Sequence, residues 1–200
     1  MKHLGHTFAL ILAALFLSSV HGWSVSTVVI DAGHGGHDRG GGPGQRYSEK
    51  IYTLDIANRV KGRLRAAGFK VVMTRDGDYF VGLDQRCAIA NSQRNAVFLS
   101  VHLNSAPRVG ASGIETYYYS GQSASFAAAV HSRLVRAAGT EDRHVRCRGF
   151  YVIRNTRIPA VLAECGFLTN PSEGDRIAGS SDYRQRIADA LADAVIAKWK

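Results

Sequence analysis

Short apolar runs rich in β-branched residues alternate with longer segments in which apolar residues recur every three or four positions. The short runs predict strands at residues 27–31, 69–74, 97–101, 114–119, 151–153 and 160–164. Strands that alternate with helices form a largely parallel sheet, because each helix carries the chain back to the edge where the next strand begins. The alternation therefore predicts an α/β fold with a mostly parallel sheet flanked by helices.

Four segments outside these strands have helical spacing. The first is bounded by Ser48, a favourable N-cap residue, and by Gly68, a residue type that ends helices readily. The second covers residues 83–94, the third ends at Gly139, and the last carries apolar residues at every fourth position up to Trp199. A chain of 200 residues is long enough for one compact domain and too short for two of ordinary size.

The first 22 residues have the pattern of a secretory signal peptide. A charged start is followed by an apolar run at residues 8–17 and by small residues up to Gly22. The run is shorter than the about 20 residues that cross a membrane. We expect cleavage near Gly22, which leaves a domain of residues 23–200 without a membrane span, in the periplasm or outside the cell. An uncleaved anchor and a buried core strand are the alternatives.

The chain is basic, with a formal net charge of +9. Such a charge favours anionic partners, whether nucleic acid, anionic lipid or an acidic wall polymer. The charges are scattered and no nucleic-acid-binding motif occurs. Because the signal peptide predicts export, wall material is the favoured partner and nucleic acid is not expected. The alternative is a basic surface that serves solubility alone.

The three cysteines, Cys87, Cys147 and Cys165, have spacings that fit neither a zinc-binding CxxC pair nor a regular disulfide framework. An exported protein has room for one disulfide here, and the sequence leaves the pair open. Cys165 lies in an apolar run, which predicts a small buried side chain.

Four side chains that can bind a metal or transfer a proton fall at the ends of predicted elements. His34 and His102 follow strands, Glu164 ends a strand, and Glu49 opens the first helix after the Gly-rich loop at 34–45. In open α/β sheets, ligands bind beyond the carboxyl ends of the strands. We therefore expect these four side chains to meet at one edge of the sheet. The loop matches neither the dinucleotide-binding pattern nor the P-loop pattern.

A catalytic zinc ion usually has three ligands from His, Asp or Glu and leaves a fourth position for water. His34, His102 and Glu49 offer such a set, although each has an ordinary alternative. His34 could be a loop histidine bonded to backbone, and Glu49 a first-turn acid stabilised by the helix dipole. Glu164 is harder to explain in that way, because its surroundings in the sequence are apolar and a buried carboxylate needs a partner or a metal.

Four strings carry a resemblance to a known family: VVIDAGHGG at 28–36, SEK at 48–50, LSVHLN at 99–104 and PAVLAECGFLTNP at 159–171. Shorter matches at 72–75, 86–91, 113–117 and 150–155 extend the resemblance, in the family's order, over residues 26–199. The chain resembles the zinc-dependent N-acetylmuramoyl-L-alanine amidases often called type 3 amidases, which are bacterial wall hydrolases. It departs from the family pattern at Leu103 and Cys165, which flank the site positions and leave them intact.

The resemblance implies one zinc ion held by His34, Glu49 and His102, with Glu164 as the catalytic base, in a domain with a central six-stranded sheet. The substrate would be peptidoglycan, cut at the amide between the lactyl group of N-acetylmuramic acid and L-alanine. Asn104 and Arg154 are candidate substrate-binding residues that could also stabilise the oxyanion. A turn cap and a surface arginine are their respective alternatives. We expect a monomer, with His37 as a loop residue and not a ligand.

Two other functions stay open at this point. A zinc peptidase or carboxypeptidase acting on wall stem peptides can use the same ligand set, and a wall-binding module could keep the fold without the chemistry. Larger, septum-associated family members carry a helical insertion that covers the zinc. Here only residues 103–114 separate His102 from Glu115, which predicts an open site without that helix.

Overall fold

The computed structural model of the chain describes residues 25–42, 45–108 and 110–200. The predicted signal peptide at 1–22 therefore lies outside the described residues. In chain order the strands and helices are β1 Thr27–Ala32, α1 Glu49–Ala66, β2 Lys70–Met73, α2 Leu83–Asn91, β3 Ala96–Asn104, β4 Ile114–Tyr118, α3 Ala124–Ala138, β5 Asp142–Cys147, α4 Tyr151–Arg154, β6 Ala160–Phe167, α5 Pro171–Gly179 and α6 Ser181–Trp199.

The strands form one six-stranded sheet in the order β2-β1-β3-β6-β4-β5. Every neighbouring pair is parallel except β4 and β6, which are antiparallel. The predicted α/β domain with a mostly parallel six-stranded sheet is confirmed. Because β1, β3 and β6 are adjacent and parallel, their carboxyl ends meet at one edge of the sheet.

Helices cover both faces of the sheet. Val28 and Ile30 of β1 pack into a core shared with α1, α3 and α6, whereas Val29 packs into a second core shared with α2 and α4. Side chains along a strand point alternately to the two faces. A strand buried on both faces is therefore apolar throughout, which is why the central strands were recognisable from sequence.

Two helices end at the glycines that predicted their ends. Gly68, with φ of 83°, follows the end of α1, and Gly139, with φ of 59°, directly follows α3. Helix α1 begins directly after Ser48, as predicted, but the hydroxyl of Ser48 does not cap it. That hydroxyl donates instead to the carbonyl oxygen of Arg39 at 3.3 Å, so Ser48 joins the helix to the preceding loop.

The strand predicted at 151–153 is wrong, because these residues belong to helix α4. The amide groups of Ile153 and Arg154 both donate to the carbonyl oxygen of Phe150. Val152 and Ile153 are both buried in the core beside α2. Neighbouring residues of a strand would face opposite sides of the sheet, whereas one helical turn can direct both into the same core.

The sixth strand is β5, which the sequence analysis did not predict. It lies at the edge of the sheet, and its sequence DRHVRC is charged and partly exposed. Edge strands carry charged residues that discourage pairing with another chain, and such residues remove the apolar signal of a strand. Helix α5 was also missed, although Asn170 caps it by accepting from the amides of Ser172 and Glu173.

The three cysteines are free: Cys87 and Cys165 are buried and Cys147 is exposed. The prediction that Cys165 is a small buried residue is confirmed. In the described residues, none of the helices has both the length and the apolar character needed to cross a membrane. The described part of the segment 105–113 contains no helix.

Two glycine-to-alanine substitutions should change stability in opposite directions. Gly139→Ala should lower the free energy of unfolding by about 1–2 kcal/mol, because φ of 59° is left-handed and disfavours a side chain. Gly62→Ala, in the interior of α1 where a Cβ meets nothing within 4 Å, should raise it by about 0.5–1 kcal/mol. Urea denaturation measures both values, and shifts of the same sign would contradict this account of the helix ends.

Candidate metal centre

Three of the predicted site residues converge at the carboxyl edge of the sheet. The possible ligand atoms of His34, Glu49 and His102 all lie within 4.8 Å of one another. Nε2 of His34 is 3.1 Å from Oε2 of Glu49, and Nδ1 of His102 is 3.0 Å from Oε1 of the same carboxylate. Two imidazoles and one carboxylate at these separations could hold a single metal ion.

Each ligand candidate is delivered by a different element. His34 follows β1 in a left-handed backbone conformation with φ of 64°, His102 is part of β3, and Glu49 is the first residue of α1. Strands β1 and β3 are neighbours and parallel. The sequence-based prediction that strand ends bring these residues together agrees with this arrangement.

Two glycines allow the ligand candidates to approach so closely. A Cβ on Gly33 would lie 2.3 Å from Cε1 of His102, and a Cβ on Gly40 would lie 2.6 Å from Cβ of Glu49. Gly40 also has φ of 72°, a conformation that glycine tolerates best. Glycine is therefore needed at positions 33 and 40 to leave space beside the site.

Asp38 orients His34, a role that the sequence analysis missed. Oδ2 of Asp38 is 2.8 Å from Nδ1 of His34, and its Oδ1 accepts from the amide of Gly40 at 3.0 Å. A hydrogen bond at Nδ1 leaves Nε2 of His34 directed at Glu49. Histidines that bind metals commonly have their other nitrogen fixed by a carboxylate in this way.

Two buried arginines hold the loop that carries His34. Arg86 donates to the carboxylate of Asp31 and to the carbonyl oxygens of Ala32 and His34, each at 2.7 Å. Arg75 donates to the carbonyl oxygen of Ala32 at 2.9 Å. Burial works to raise the pKa of Asp31, but the charge of Arg86 and hydrogen bonds from neighbouring hydroxyls outweigh it and lower that pKa. The ionised carboxylate thus compensates the buried guanidinium.

The carboxylate of Glu49 is strongly stabilised in its ionised form. Burial acts to raise its pKa, but hydrogen bonds from His102 and His34 prevail and lower the pKa to about 2. The backbone amide of Leu103 adds a further donor at 2.9 Å. For His34, burial lowers the pKa, whereas bonds to Glu49 and then Asp38 raise it, and the net change is upward.

Glu164 stands next to this group. It is paired with His102 in the register of β3 and β6, and its Oε2 is buried without a hydrogen-bond partner among the described residues. Burial, followed by repulsion from Glu49 and Glu115, raises the pKa of Glu164 well above its ordinary value. A buried carboxylate beside other carboxylates is unfavourable without a cation. The residues therefore fit a bound cation, which would offset this repulsion.

Glu115, on β4, faces Glu164 across the antiparallel pair. Its carboxylate accepts from Nδ2 of Asn104 at 2.8 Å and from Nε of Arg143 at 3.0 Å. Asn104 is thereby fixed at the edge of the site. Arg154 is exposed on α4. Contact of Asn104 and Arg154 with substrate stays a prediction.

A cavity of about 410 Å³ adjoins the site and is bordered by His34, Asp38 and His102. His37 does not belong to the ligand group; its ring packs on Phe80 with the ring centres 4.3 Å apart. The predicted site thus has a group that could hold a metal ion at one wall of a ligand-sized cavity.

Comparisons with known proteins identify a family for this chain. A sequence model of the N-acetylmuramoyl-L-alanine amidase family matches residues 28–197. The protein YqiI of Bacillus subtilis (strain 168) is 40% identical over 173 residues, which cover 84% of this chain and 82% of that protein. The N-acetylmuramoyl-L-alanine amidase LytC of the same organism is 35% identical over 178 residues, 87% of this chain but only 36% of LytC.

A solved structure has the same architecture. The catalytic domain of CwlV, an N-acetylmuramoyl-L-alanine amidase from Bacillus (Paenibacillus) polymyxa var. colistinus, superposes with a TM-score of 0.83 at 38% identity. The match covers 87% of this chain and 98% of that domain. The family match and the architecture agree, and the chain belongs to the N-acetylmuramoyl-L-alanine amidase family.

Proposed function

We propose that this chain is a peptidoglycan amidase that hydrolyses the bond between the lactyl group of N-acetylmuramic acid and L-alanine. The observation that carries the proposal is the group of His34, Glu49 and His102 beside Glu164, whose Oε2 is buried without a hydrogen-bond partner among the described residues. The chain also matches the family over residues 28–197. A wall-binding module would not need an unfavourable buried carboxylate at this position.

We propose one zinc ion as the cofactor, with His34, Glu49 and His102 as ligands. Two imidazoles and one carboxylate are a common ligand set of catalytic zinc and leave a position open. When bound, zinc would lower the pKa of a water molecule to about 7 and polarise the scissile carbonyl. The surrounding contacts support this assignment, because Asp38 and the amide of Leu103 already fix two of the ligands.

Glu164 is the proposed general base and acid. Its carboxylate would accept a proton from the attacking water and then deliver a proton to the departing amine of L-alanine. The free Oε2 supports this role, because no hydrogen bond in the described residues needs to break before it accepts a proton. Asn104 and Arg154 are the proposed substrate-binding residues, the first held by Glu115 and the second exposed at the end of α4, whose Tyr151 and Val152 border the cavity.

We further propose that the protein acts on the cell wall as a monomer after export by the segment at 1–22. Relatives named probable cell wall amidase LytH, from Staphylococcus species, support a wall substrate. No membrane span and no nucleic-acid partner are part of this proposal. The periplasm and the exterior of the cell are both compatible with it.

Replacement of the proposed base gives the first test. Glu164→Gln should keep zinc but lower the hydrolysis rate by about 10²–10⁴-fold, because the amide cannot transfer a proton. Release of stem peptides with a free L-alanine amine from purified sacculi measures the rate. Glu141→Gln, at an exposed glutamate, is the matched control and should keep full activity. Wild-type turnover by Glu164→Gln, or shortened stem peptides as the product, would contradict the assignment.

Removal of the residue that orients His34 should weaken metal binding. Asp38→Asn should reduce zinc affinity by about 10–100-fold, the usual effect of losing such a supporting hydrogen bond. Competition with a fluorescent chelator measures the dissociation constant. Asp193→Asn, whose carboxylate pairs with Arg63 on the surface, should have unchanged affinity. Equal affinity in all three proteins would show that the contact between Asp38 and His34 is dispensable.

Zinc affinity should also depend on pH. Burial lowers the pKa of His34, but Glu49 and then Asp38 outweigh it and raise that pKa above its ordinary value, so this imidazole holds a proton below the raised pKa. Zinc must displace the proton, and affinity should fall by about tenfold per pH unit for each proton released. Chelator competition between about pH 8 and pH 5.5 tests this dependence. Glu49, with a pKa of about 2, should contribute nothing in that range. A constant affinity would contradict His34 as a ligand.

A further inference from the structure

The cavity beside the metal group has an apolar rim. Its inner wall is formed by His34 and His102, and its outer wall by Phe80, Leu83 and Tyr151, joined by Phe150. Its volume of about 410 Å³ lies in the range of small-molecule sites, about 300–1,000 Å³. It can hold one bulky ring system but not a whole polymer.

Exposed apolar side chains are concentrated at this cavity. Seven large apolar side chains are exposed in the described part of the chain, and four of them border it. Phe80 and Leu83 are 49% and 52% exposed, and Phe150 and Tyr151 are 43% and 42% exposed. Apolar side chains clustered in contact with water are characteristic of a surface that binds a ligand.

Neighbouring rings hold two of these aromatic side chains in place. The ring of Phe80 packs on His37 at 4.3 Å, and that of Phe150 packs on Tyr117 at 4.8 Å between ring centres. Side chains fixed before binding lose little conformational freedom when a ligand arrives. The rings of Phe80 and Phe150 are therefore preorganised for binding.

The charged groups that border the cavity are already engaged. Asp31 is paired with Arg86, and Arg86 also donates to backbone carbonyl groups. Asp38 is bonded to His34, and His102 to Glu49. Among the described residues the lining thus offers no unpaired cation to a carboxylate, while Asp38, 40% exposed at its side chain, would repel one. An uncharged ligand that has apolar faces fits this lining best.

We propose that this cavity binds the sugar ring of the N-acetylmuramic acid whose lactyl group carries the scissile amide. This inference rests on the proposed amidase function. With the amide carbonyl at the metal group, the short lactyl arm places that sugar within reach of the adjoining cavity. The C–H faces of a pyranose ring and its N-acetyl methyl group pack on aromatic rings, and the exposed carboxylate of Asp38 can accept from a sugar hydroxyl. The stem peptide, which carries carboxylates, lies outside this cavity.

Binding of the two product halves tests the proposal. The probes are the disaccharide of N-acetylglucosamine and N-acetylmuramic acid, and a stem tripeptide with a free L-alanine amine, each titrated into the zinc-loaded protein and followed by NMR. Tyr151→Ala and Phe80→Ala should each reduce the affinity for the disaccharide by about tenfold, the usual effect of losing an aromatic contact. Both should leave stem-peptide affinity unchanged. Tyr119→Ala, at a similarly exposed tyrosine that does not border the cavity, should change neither affinity.

The possible results separate this inference from the proposed function. No binding of the disaccharide to the wild-type protein, an unchanged disaccharide affinity in both variants, or a selective loss of stem-peptide affinity would overturn the sugar site. Hydrolysis of purified sacculi by the wild-type protein is measured in parallel. Disaccharide binding that depends on Tyr151 without any hydrolysis would remove the amidase function and keep the sugar site. Hydrolysis together with a disaccharide affinity that neither substitution changes would overturn the sugar site and keep the amidase function.

Discussion

The carboxylate of Glu49 lies between the imidazoles of His34 and His102, and much of the surrounding structure serves this contact. Helix α1 must begin at Glu49, Gly33 and Gly40 must leave space for the neighbouring side chains, and β1 must lie beside β3. The buried pair of Asp31 and Arg86 fixes the loop from below through hydrogen bonds to its carbonyl groups. Loss of one partner in such a buried pair typically lowers the free energy of unfolding by about 3–5 kcal/mol. The pair therefore stabilises the loop strongly.

The electrostatics of the site depend on the same carboxylate. In the absence of a cation the two imidazoles and the amide of Leu103 stabilise Glu49 as an anion, and this charge helps to raise the pKa of Glu164. A metal ion at the group would reverse the balance and favour the ionised form of Glu164. A metal ion at this group would therefore lower the pKa of Glu164, the carboxylate proposed to accept a proton.

The amino-acid sequence predicted the central strands because they are buried on both faces and apolar throughout. It also predicted that His34, Glu49, His102 and Glu164 come together, since the carboxyl ends of parallel strands must meet, although β3 and β6 continue past His102 and Glu164. It failed at β5, whose edge position makes it charged, and at α4, whose residues 151–153 resemble a strand but bury adjacent side chains in one core. The roles of Asp38, Arg75 and Arg86 could not be assigned from sequence. Asp38 meets His34 through the bend of the loop, and the two arginines contact groups that are 43 and 55 residues away along the chain. The identity of the metal and the bond that is cut came from the resemblance to a family.

The central claim is that a metal held by His34, Glu49 and His102 enables hydrolysis of the muramoyl–alanine amide. Mass spectrometry of purified peptidoglycan digested by the protein tests it most directly, in three samples: untreated, stripped with a chelator, and stripped and then reloaded with zinc. We expect the untreated protein to release intact stem peptides that begin with L-alanine and to leave glycan chains that keep the lactyl group. Both products should be lost with the chelator and restored by zinc. Cleavage within the stem peptide, or cleavage that persists in the stripped protein, would contradict it.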